Sequence, residues 1–303
     1  MCATAAAEPR GVLDKAVQYV LATRPWSFTV SAVGVMLTAT LLNKREGIPV
    51  FSSGCLTAGA LCVLLQASGN LLNSYFDFKN GVDNHATVGD RVLVDKRVTI
   101  PGALAVSALL AAIAVYLVAP LLIAEDPSFR HVFLASVSLA FFYTGPPLRL
   151  KYHALGDFVI VTCFGPLLMR GTAIIISGQP QNWMLPYAVP VTLLTEAILH
   201  ANNARDYKLD AKCGITTLAV LLGYKWSRIL YLLMLGGAYI SAGVFSLSYI
   251  GCSLVALSLP IAASNIKAFK ASTMANMDER TAQLHLVFGI LLCAGIYWSP
   301  TAT

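Results

Sequence analysis

The stretch NLLNSYFDFKNGVDNHATVGDR, residues 70–91, places amides and carboxylates at the end of a long apolar run. Asn73 and Asp77 are four residues apart, so they would lie on one face of a helix. Gly81 then interrupts the helical pattern before Asp83. Because a group of carboxylates beside a membrane needs a compensating cation, we expect this segment to form the polar, cation-binding end of an apolar helix.

The composition of the rest of the chain indicates a membrane protein. Hydrophobic residues make up 57% of the 303 residues and charged residues 12%, with a mean hydropathy of +0.69. This is too apolar for a soluble domain of that length. Since about 20 apolar residues cross a bilayer, we predict an all-α integral membrane fold with nine transmembrane helices, at 27–42, 54–76, 100–123, 131–148, 155–177, 184–203, 227–248, 250–269 and 283–299.

The Lys and Arg residues fall mainly on one side of this predicted membrane domain, residues 24–303. Fifteen of the 21 lie in the N-terminal tail, residues 1–23, at Arg24 directly after it, and in the even-numbered connections. The positive-inside rule therefore places the tail and these connections in the cytosol. The tail lacks the apolar core of a secretory signal peptide. The net charge of +6 reflects this topology, and we predict no nucleic-acid partner.

A second polar segment, HANNARDYKLDAKCG at residues 200–214, follows the sixth predicted span. Asn202 and Asp206 repeat the spacing of Asn73 and Asp77, and Asp210 lies one further turn along. Both segments end an apolar helix on the same predicted side of the membrane. This repetition indicates an internal duplication, although little else in the two halves aligns.

The acids of the two segments are candidate magnesium ligands. Mg²⁺ prefers oxygen and is usually held by one or two carboxylates together with phosphate oxygens of a substrate. Two facing acidic segments could therefore hold a diphosphate through metal ions. The alternative is that these acids are solvated or pair with nearby basic residues. The predicted metal ligands are Asp77, Asp83, Asp206 and Asp210.

Basic and aromatic side chains surround the same segments. Arg24, Arg91 and Lys151 would suit diphosphate oxygens that no metal covers, but anchoring at the membrane surface also explains such residues. Tyr75 and Tyr143 could stabilise an allylic cation with their ring faces, and the alternative is an interfacial aromatic belt.

Two further ionisable features lie within the predicted spans. Glu196 and His200 are four residues apart and form either a functional site or a mutually satisfied structural pair. Arg170 lies in the fifth predicted span. Either it faces a cavity or the predicted span is wrong at this position.

Together these segments resemble the two aspartate-rich motifs of the UbiA superfamily of intramembrane prenyltransferases. The similarity is carried by NSYFDFKNGVD and NNARDYKLD, and LATRPWSF, GDRVLVD, FFYTGPPLRLKYHALGD and TEAILHANNARD resemble its menaquinone-forming branch. The resemblance implies nine helices around a central cavity under a polar cytosolic cap. It also implies Mg²⁺-dependent transfer of a geranylgeranyl group from its diphosphate to menadiol, which forms menaquinone-4 in an endoplasmic reticulum or Golgi membrane.

Site roles follow residue by residue from this resemblance. Asp77, Asp83, Asp206 and Asp210 match metal-binding positions, and Tyr75, Tyr143, Lys151 and Asp77 are the candidate catalytic residues. The residues expected to bind the diphosphate are Asn73, Arg91, Lys151, Asn202, Asn203 and Arg24.

Three alternatives remain open at this point. A transporter also combines duplicated halves with polar segments, but its ionisable residues would lie deeper in the spans. A prenyltransferase of this fold could use 4-hydroxybenzoate or 1,4-dihydroxy-2-naphthoate as its acceptor. The prenyl-diphosphate site could also act as a sensor that controls association with a sterol-pathway enzyme.

Overall fold

A computed structural model describes residues 11–83, 91–270 and 274–300, and within these ranges the chain is helical with no β-strand. The α-helices are α1 Val12–Ala22, α2 Thr29–Glu46, α3 Ser53–Lys79, α4 Ile100–Leu122, α5 Ser128–Thr144, α6 Gly156–Thr162, α7 Leu168–Ser177, α8 Val189–Lys212, α9 Leu218–Phe245, α10 Leu259–Ala268 and α11 Met277–Trp298. Shorter helical segments are the 3₁₀ turns Pro25–Phe28, Leu150–Tyr152, Asn182–Ala188 and Ile250–Ser258 and the π-helical turn Cys163–Leu167.

The predicted all-α membrane architecture is confirmed. In the described part of the chain, eight helical stretches are long and apolar enough to cross a membrane. Helix α5 has 17 residues and would extend about 26 Å at 1.5 Å per residue, close to the hydrocarbon thickness of a bilayer. Counting α5 with the eight is consistent with the predicted nine.

The helix bounds differ from the predicted spans at two places that matter for the site. Helix α5 ends at Thr144 and not at residue 148, because Gly145 is extended and precedes Pro146 and Pro147. Helix α8 continues to Lys212, nine residues beyond the predicted end of the sixth span at residue 203. The second polar segment is therefore helical through Asp210, which places its amides and acids on successive turns.

The largest apolar core joins α2, α8, α9 and α11. Tyr231 of α9 is fully buried, stacks on Phe269 with ring centroids 4.5 Å apart, and shares a 2.9 Å hydrogen bond with Thr281 of α11. Gly251 and Gly295 let two backbones touch, since a Cβ on either would lie within 2.2 Å of the other's carbonyl oxygen. This packing fixes α8, which carries the second polar segment, against α9 and α11.

A cavity of about 300 Å³ lies among α2 to α7. Most of its lining is apolar and comes from α3, α5 and the α6–α7 stretch, including Leu61, Phe129 and Ile175. Asn70, Asn73 and Tyr143 line it near the polar ends of α3 and α5. The cavity therefore offers an apolar interior that begins beside the first polar segment.

Candidate active site

The loops that follow α3, α5 and α8 pack together over the helix ends. Val82, Tyr152 and Ile215, one from each loop, form a small buried cluster. The backbone N–H of Thr216 donates to the Tyr152 carbonyl at 3.1 Å, and that of Ala154 donates to the Thr216 carbonyl at 2.6 Å. These contacts bring the two polar segments to one end of the bundle under a shared polar cap, as predicted.

Asp77 is the buried centre of the first segment, with 4% of its surface exposed. Its Oδ2 lies 2.7 Å from the Lys151 Nζ, and its Oδ1 accepts a 2.6 Å hydrogen bond from the Tyr152 hydroxyl. Asn80 donates in turn to the Tyr152 oxygen at 3.3 Å. Tyr152 was not predicted from the sequence, in which its one signal is its position directly after Lys151.

Charge and burial fix the protonation states of the residues around Asp77. Burial alone would lower the pKa of Lys151, but the charge and hydrogen bond of Asp77 outweigh it, so the pKa is raised. Burial and the Asp77 charge raise the pKa of Tyr152. Lys151 is therefore a cation and Tyr152 a neutral donor at neutral pH.

Arg205 organises the second segment. Its Nε and Nη2 donate to both carboxylate oxygens of Asp206 at 2.9 and 2.7 Å, and Nη2 also donates to Asn202 Oδ1 at 2.6 Å. Its Nη1 donates to Asp278 of α11 at 3.1 Å. The side chain is only 7% exposed. Arg205 thus links α8 to α11 through a fork of charge-assisted hydrogen bonds. Neither this linking role of Arg205 nor Asp278 was predicted from the sequence.

Acids of both segments lie within electrostatic range of Lys151. Asp210, which is 7% exposed, interacts electrostatically with Lys151, Asp206 and Asp77. Asp83 also acts on Lys151. Within the described ranges, no three acidic, histidine or cysteine side chains are close enough to form a metal site by themselves. Predicted metal ligands of both segments therefore share one electrostatic environment, in which Asp77 and Asp206 each contact a cation.

Asn73 and Tyr143 connect this acidic region to the cavity. Both line the cavity, and Asn73 Oδ1 accepts a 2.8 Å hydrogen bond from Thr144. Tyr143 interacts electrostatically with Asp77 and Arg24. The structure thus brings these two predicted residues to the place where the cavity meets the acids.

The structure places Tyr75 differently from Tyr143. Tyr75 packs against the cluster that contains Ala22 and Leu71, with Lys79 Nζ 5.6 Å from its ring centroid. It is absent from the cavity lining formed by the described residues, although Phe76 beside it contacts the cavity residue Phe141 at a centroid distance of 6.0 Å. The structure does not bring Tyr75 to the cavity.

The predicted diphosphate-binding residues have diverse surroundings. Arg24 has a left-handed backbone conformation and donates to Ser74 Oγ at 3.3 Å. Arg91 pairs with Asp95 at 2.8 Å within its own loop. Asn203 is buried on α8, at 3% exposed. Asp90, which precedes Arg91, lies outside the described residues.

Arg170 does not belong to this region. Its Nη1 donates to Asn182 Oδ1 at 2.9 Å, which joins the first turn of α7 to the 3₁₀ turn before α8. Asn182 begins the stretch Asn182–Lys212, and the second polar segment lies at the other end of that stretch. Its cation is therefore accounted for by a local polar contact.

Comparison with known proteins identifies the family. The model of the UbiA prenyltransferase family matches residues 27–298, nearly the whole chain. The chain belongs to the UbiA prenyltransferase family. This membership confirms the resemblance inferred from the two aspartate-rich segments.

Curated relatives agree with the UbiA assignment. UbiA prenyltransferase domain-containing protein 1 of Gallus gallus is 36% identical over 295 residues, which cover 96% of this chain and 87% of the relative. The protein of that name from Danio rerio is 37% identical, covering 95% and 86%. Its Drosophila melanogaster homolog is 35% identical, covering 96% and 83%.

Solved structures of UbiA homologs share the fold. The apo homolog from Aeropyrum pernix K1 has a TM-score of 0.65 at 19% identity, covering 88% of this chain and 96% of its own. The Archaeoglobus fulgidus homolog bound to DMAPP and Mg²⁺ has a TM-score of 0.62 at 14% identity, covering 91% and 99%. At these identities the likeness supports the architecture alone.

Proposed function

We propose that this chain transfers a geranylgeranyl group from its diphosphate to the ring of menadiol and so forms menaquinol-4, the reduced form of menaquinone-4. The observation that carries the proposal is the convergence of two acidic segments beside an apolar cavity whose lining includes Asn73 and Tyr143. A charged diphosphate fits the acids through metal ions, and an isoprenoid chain fits the apolar interior. The choice of menadiol rests on the similarity to the menaquinone-forming branch of the UbiA family.

The acids suit magnesium in their chemistry. Asp77, Asp83, Asp206 and Asp210 offer hard oxygen donors, and Mg²⁺ takes few protein carboxylates when it also holds substrate phosphates. The A. fulgidus homolog holds a prenyl diphosphate together with Mg²⁺. Bound Mg²⁺ would neutralise the negative charge that builds on the diphosphate as it leaves.

The basic and amide side chains would hold the diphosphate. Lys151 is a buried cation next to Asp77 and within the field of Asp83 and Asp210, so it can donate to phosphate oxygens at the centre of the acidic region. Arg24 reaches the same region through Ser74. We assign further contacts with the diphosphate to Asn73, Asn202, Asn203 and Arg91.

Aromatic side chains would stabilise the allylic cation that forms as the diphosphate departs. Tyr143 and Phe141 line the cavity, and their ring faces are favourable surroundings for a positive charge. Tyr75 is absent from the cavity lining formed by the described residues and is assigned a supporting role. The menadiol ring then attacks the cation within the water-poor cavity.

The same proposal includes a cellular setting. The distribution of Lys and Arg supports a cytosolic N-terminal tail, residues 1–23, ahead of the transmembrane domain, residues 24–303. The polar cap would then face the cytosol, where soluble metal ions and diphosphate are available. We assign the protein to the endoplasmic reticulum or Golgi membrane from the family resemblance.

Turnover by the purified protein tests the proposed function. The protein in nanodiscs would receive geranylgeranyl diphosphate, Mg²⁺ and menadione with a reductant, and product would be measured by mass spectrometry. We expect menaquinol-4, detected as menaquinone-4 after oxidation in air, in the wild type and none after chelation of the metal. Product with 4-hydroxybenzoate or 1,4-dihydroxy-2-naphthoate and not with menadiol would overturn the acceptor assignment. Tight binding of the donor without product from any acceptor would favour a sensor.

A further inference from the structure

A second pair of carboxyl groups lies inside the bundle, apart from the two aspartate-rich segments. Glu196 of α8 is 3% exposed, and Asp157 lies in the first turn of α6. The two carboxyl groups are close enough to share a hydrogen bond when one of them carries a proton. Among the described residues, no hydrogen bond from outside this pair reaches either oxygen of Glu196 or Oδ1 of Asp157, and all three atoms are buried.

His200 does not form a hydrogen bond with Glu196, so the two residues do not form the structural pair that was one interpretation of their spacing. The Nε2 of His200 instead contacts the Ser227 carbonyl oxygen at 3.0 Å. Its Nδ1 is buried and has no hydrogen-bond partner in the described structure, and the ring interacts electrostatically with Asp157. Glu196, Asp157 and His200 are thus a buried polar group with unused hydrogen-bonding capacity.

This buried group adjoins the cavity. Tyr143 lines the cavity and interacts electrostatically with both Asp157 and Glu196, as well as with Asp77. Val159 and Ile160, which follow Asp157 on α6, also line the cavity. The Tyr143 ring also packs against Gly156, the residue before Asp157. The carboxyl pair is not part of the cavity lining formed by the described residues, and Tyr143 lies between the pair and the cavity.

Buried carboxyl groups that have no partner outside their own pair require an explanation, because most buried polar atoms in proteins have a full set of hydrogen bonds. A hydroxyl group bound in the cavity would supply the missing donor. Two neighbouring carboxyl groups also hold protons jointly, which makes such a pair able to accept one when a substrate releases it.

We propose that Glu196 and Asp157 form the acceptor subsite and receive the proton released during prenyl transfer, an inference that rests on the proposed function. The ionised carboxylate of the pair accepts a hydrogen bond from a hydroxyl of the aromatic acceptor. This hydrogen bond increases the electron density of the acceptor ring. A bond forms between a ring carbon and the allylic carbon, while the allylic C–O bond breaks and its electron pair leaves with the diphosphate. The ring carbon then loses its proton to the carboxylate, which restores aromaticity.

Isosteric variants test this subsite. Glu196→Gln and Asp157→Asn keep the size of each side chain but remove a proton acceptor. Thr192→Val is the matched control, since Thr192 lies one turn before Glu196 on α8 and its Oγ1 is also buried without a partner. We expect kcat for prenyl transfer to fall about 100-fold or more in both acid variants, with the Kd for geranylgeranyl diphosphate unchanged. The control should retain wild-type values.

Anaerobic binding of menadiol, measured by calorimetry, provides a readout that needs no turnover. Both acid variants should bind menadiol at least 10-fold more weakly than the wild type and the control. Wild-type menadiol affinity in both variants, or equal losses of donor and acceptor binding, would overturn the subsite. If Glu196→Gln does not fold, Asp157→Asn decides the question alone. If the wild type forms no product, the proposed function is wrong. The comparison of menadiol binding between the wild type and the variants then tests the subsite by itself.

Discussion

The two polar segments have the same Asn-x-x-x-Asp spacing but obtain their positive charge in different ways. Asp77 of the first segment pairs with Lys151, which lies 74 positions away in the sequence. Asp206 of the second segment pairs with its neighbour Arg205. The first ion pair therefore depends on tertiary packing of three loops, whereas the second forms within one helix and extends to α11 through Asp278.

This difference indicates a division of roles. Among the described residues, Lys151 forms a salt bridge with Asp77 alone, and it lies on a short 3₁₀ turn. In the proposed function it exchanges this carboxylate partner for a diphosphate. Arg205 is held by Asn202, Asp206 and Asp278 at once. The first segment is therefore suited to respond to substrate, and the second to hold its ligands in place.

Asp77→Asn should have the largest effect of any single change in the two segments. The variant loses a proposed metal ligand and leaves the buried Lys151 cation without its carboxylate, a loss that typically costs about 3–5 kcal/mol. We expect product formation to fall by about 10²–10³-fold and the melting temperature in detergent to decrease. An active variant with a wild-type melting temperature would refute the assignment of Asp77.

Asp206→Asn is the matched change in the second segment. We expect product formation to fall by about 10²-fold, but the melting temperature should decrease less than in Asp77→Asn, because Arg205 keeps Asp278 and Asn202. Thermal unfolding and product assays on the two variants side by side provide the comparison. A larger loss of stability in Asp206→Asn would reverse the contrast between the segments.

Arg205→Lys separates the charge of the second segment from its geometry. Lysine keeps the charge but cannot reproduce the guanidinium fork that reaches three side chains. We expect turnover about 10-fold lower and a free energy of unfolding lower by about 1–3 kcal/mol. Arg97→Lys serves as a control, since the Arg97 contact with Asp95 is 3.5 Å long and partly exposed. Equal behaviour of both variants would show that charge alone matters at Arg205.

Tyr152→Phe should have the smallest effect on product formation of the four changes. It removes one hydrogen bond to Asp77 while leaving the Lys151 ion pair and the aromatic ring in place. A hydrogen bond to a charged group contributes about 1.5–3 kcal/mol, so we expect a decrease in stability and a several-fold increase in the KM for the donor. Tyr19→Phe, which removes an exposed 3.3 Å contact with Thr99, is the control. Unchanged donor KM in Tyr152→Phe would remove Tyr152 from the site.

Features encoded locally were predictable from the sequence. The apolar spans, the Asn-x-x-x-Asp spacing and the shared end of the bundle follow from hydropathy and from helix periodicity. Tyr152, Asp278 and Asp157 were missed because their roles depend on loops and helices that are distant in sequence. The bounds of α5 and α8 differed since a Gly-Pro-Pro turn and a polar helical extension interrupt the relation between hydropathy and helix length.

The central claim is that both acidic segments act on one diphosphate. A double-mutant cycle of Asp77→Asn and Asp206→Asn tests it most directly, with the Kd of a slowly reacting thio-analogue of geranylgeranyl diphosphate measured at saturating Mg²⁺. If both segments bind the same diphosphate, the two effects should be non-additive by about 1 kcal/mol or more. Effects that add within about 0.3–0.5 kcal/mol would contradict a shared diphosphate site.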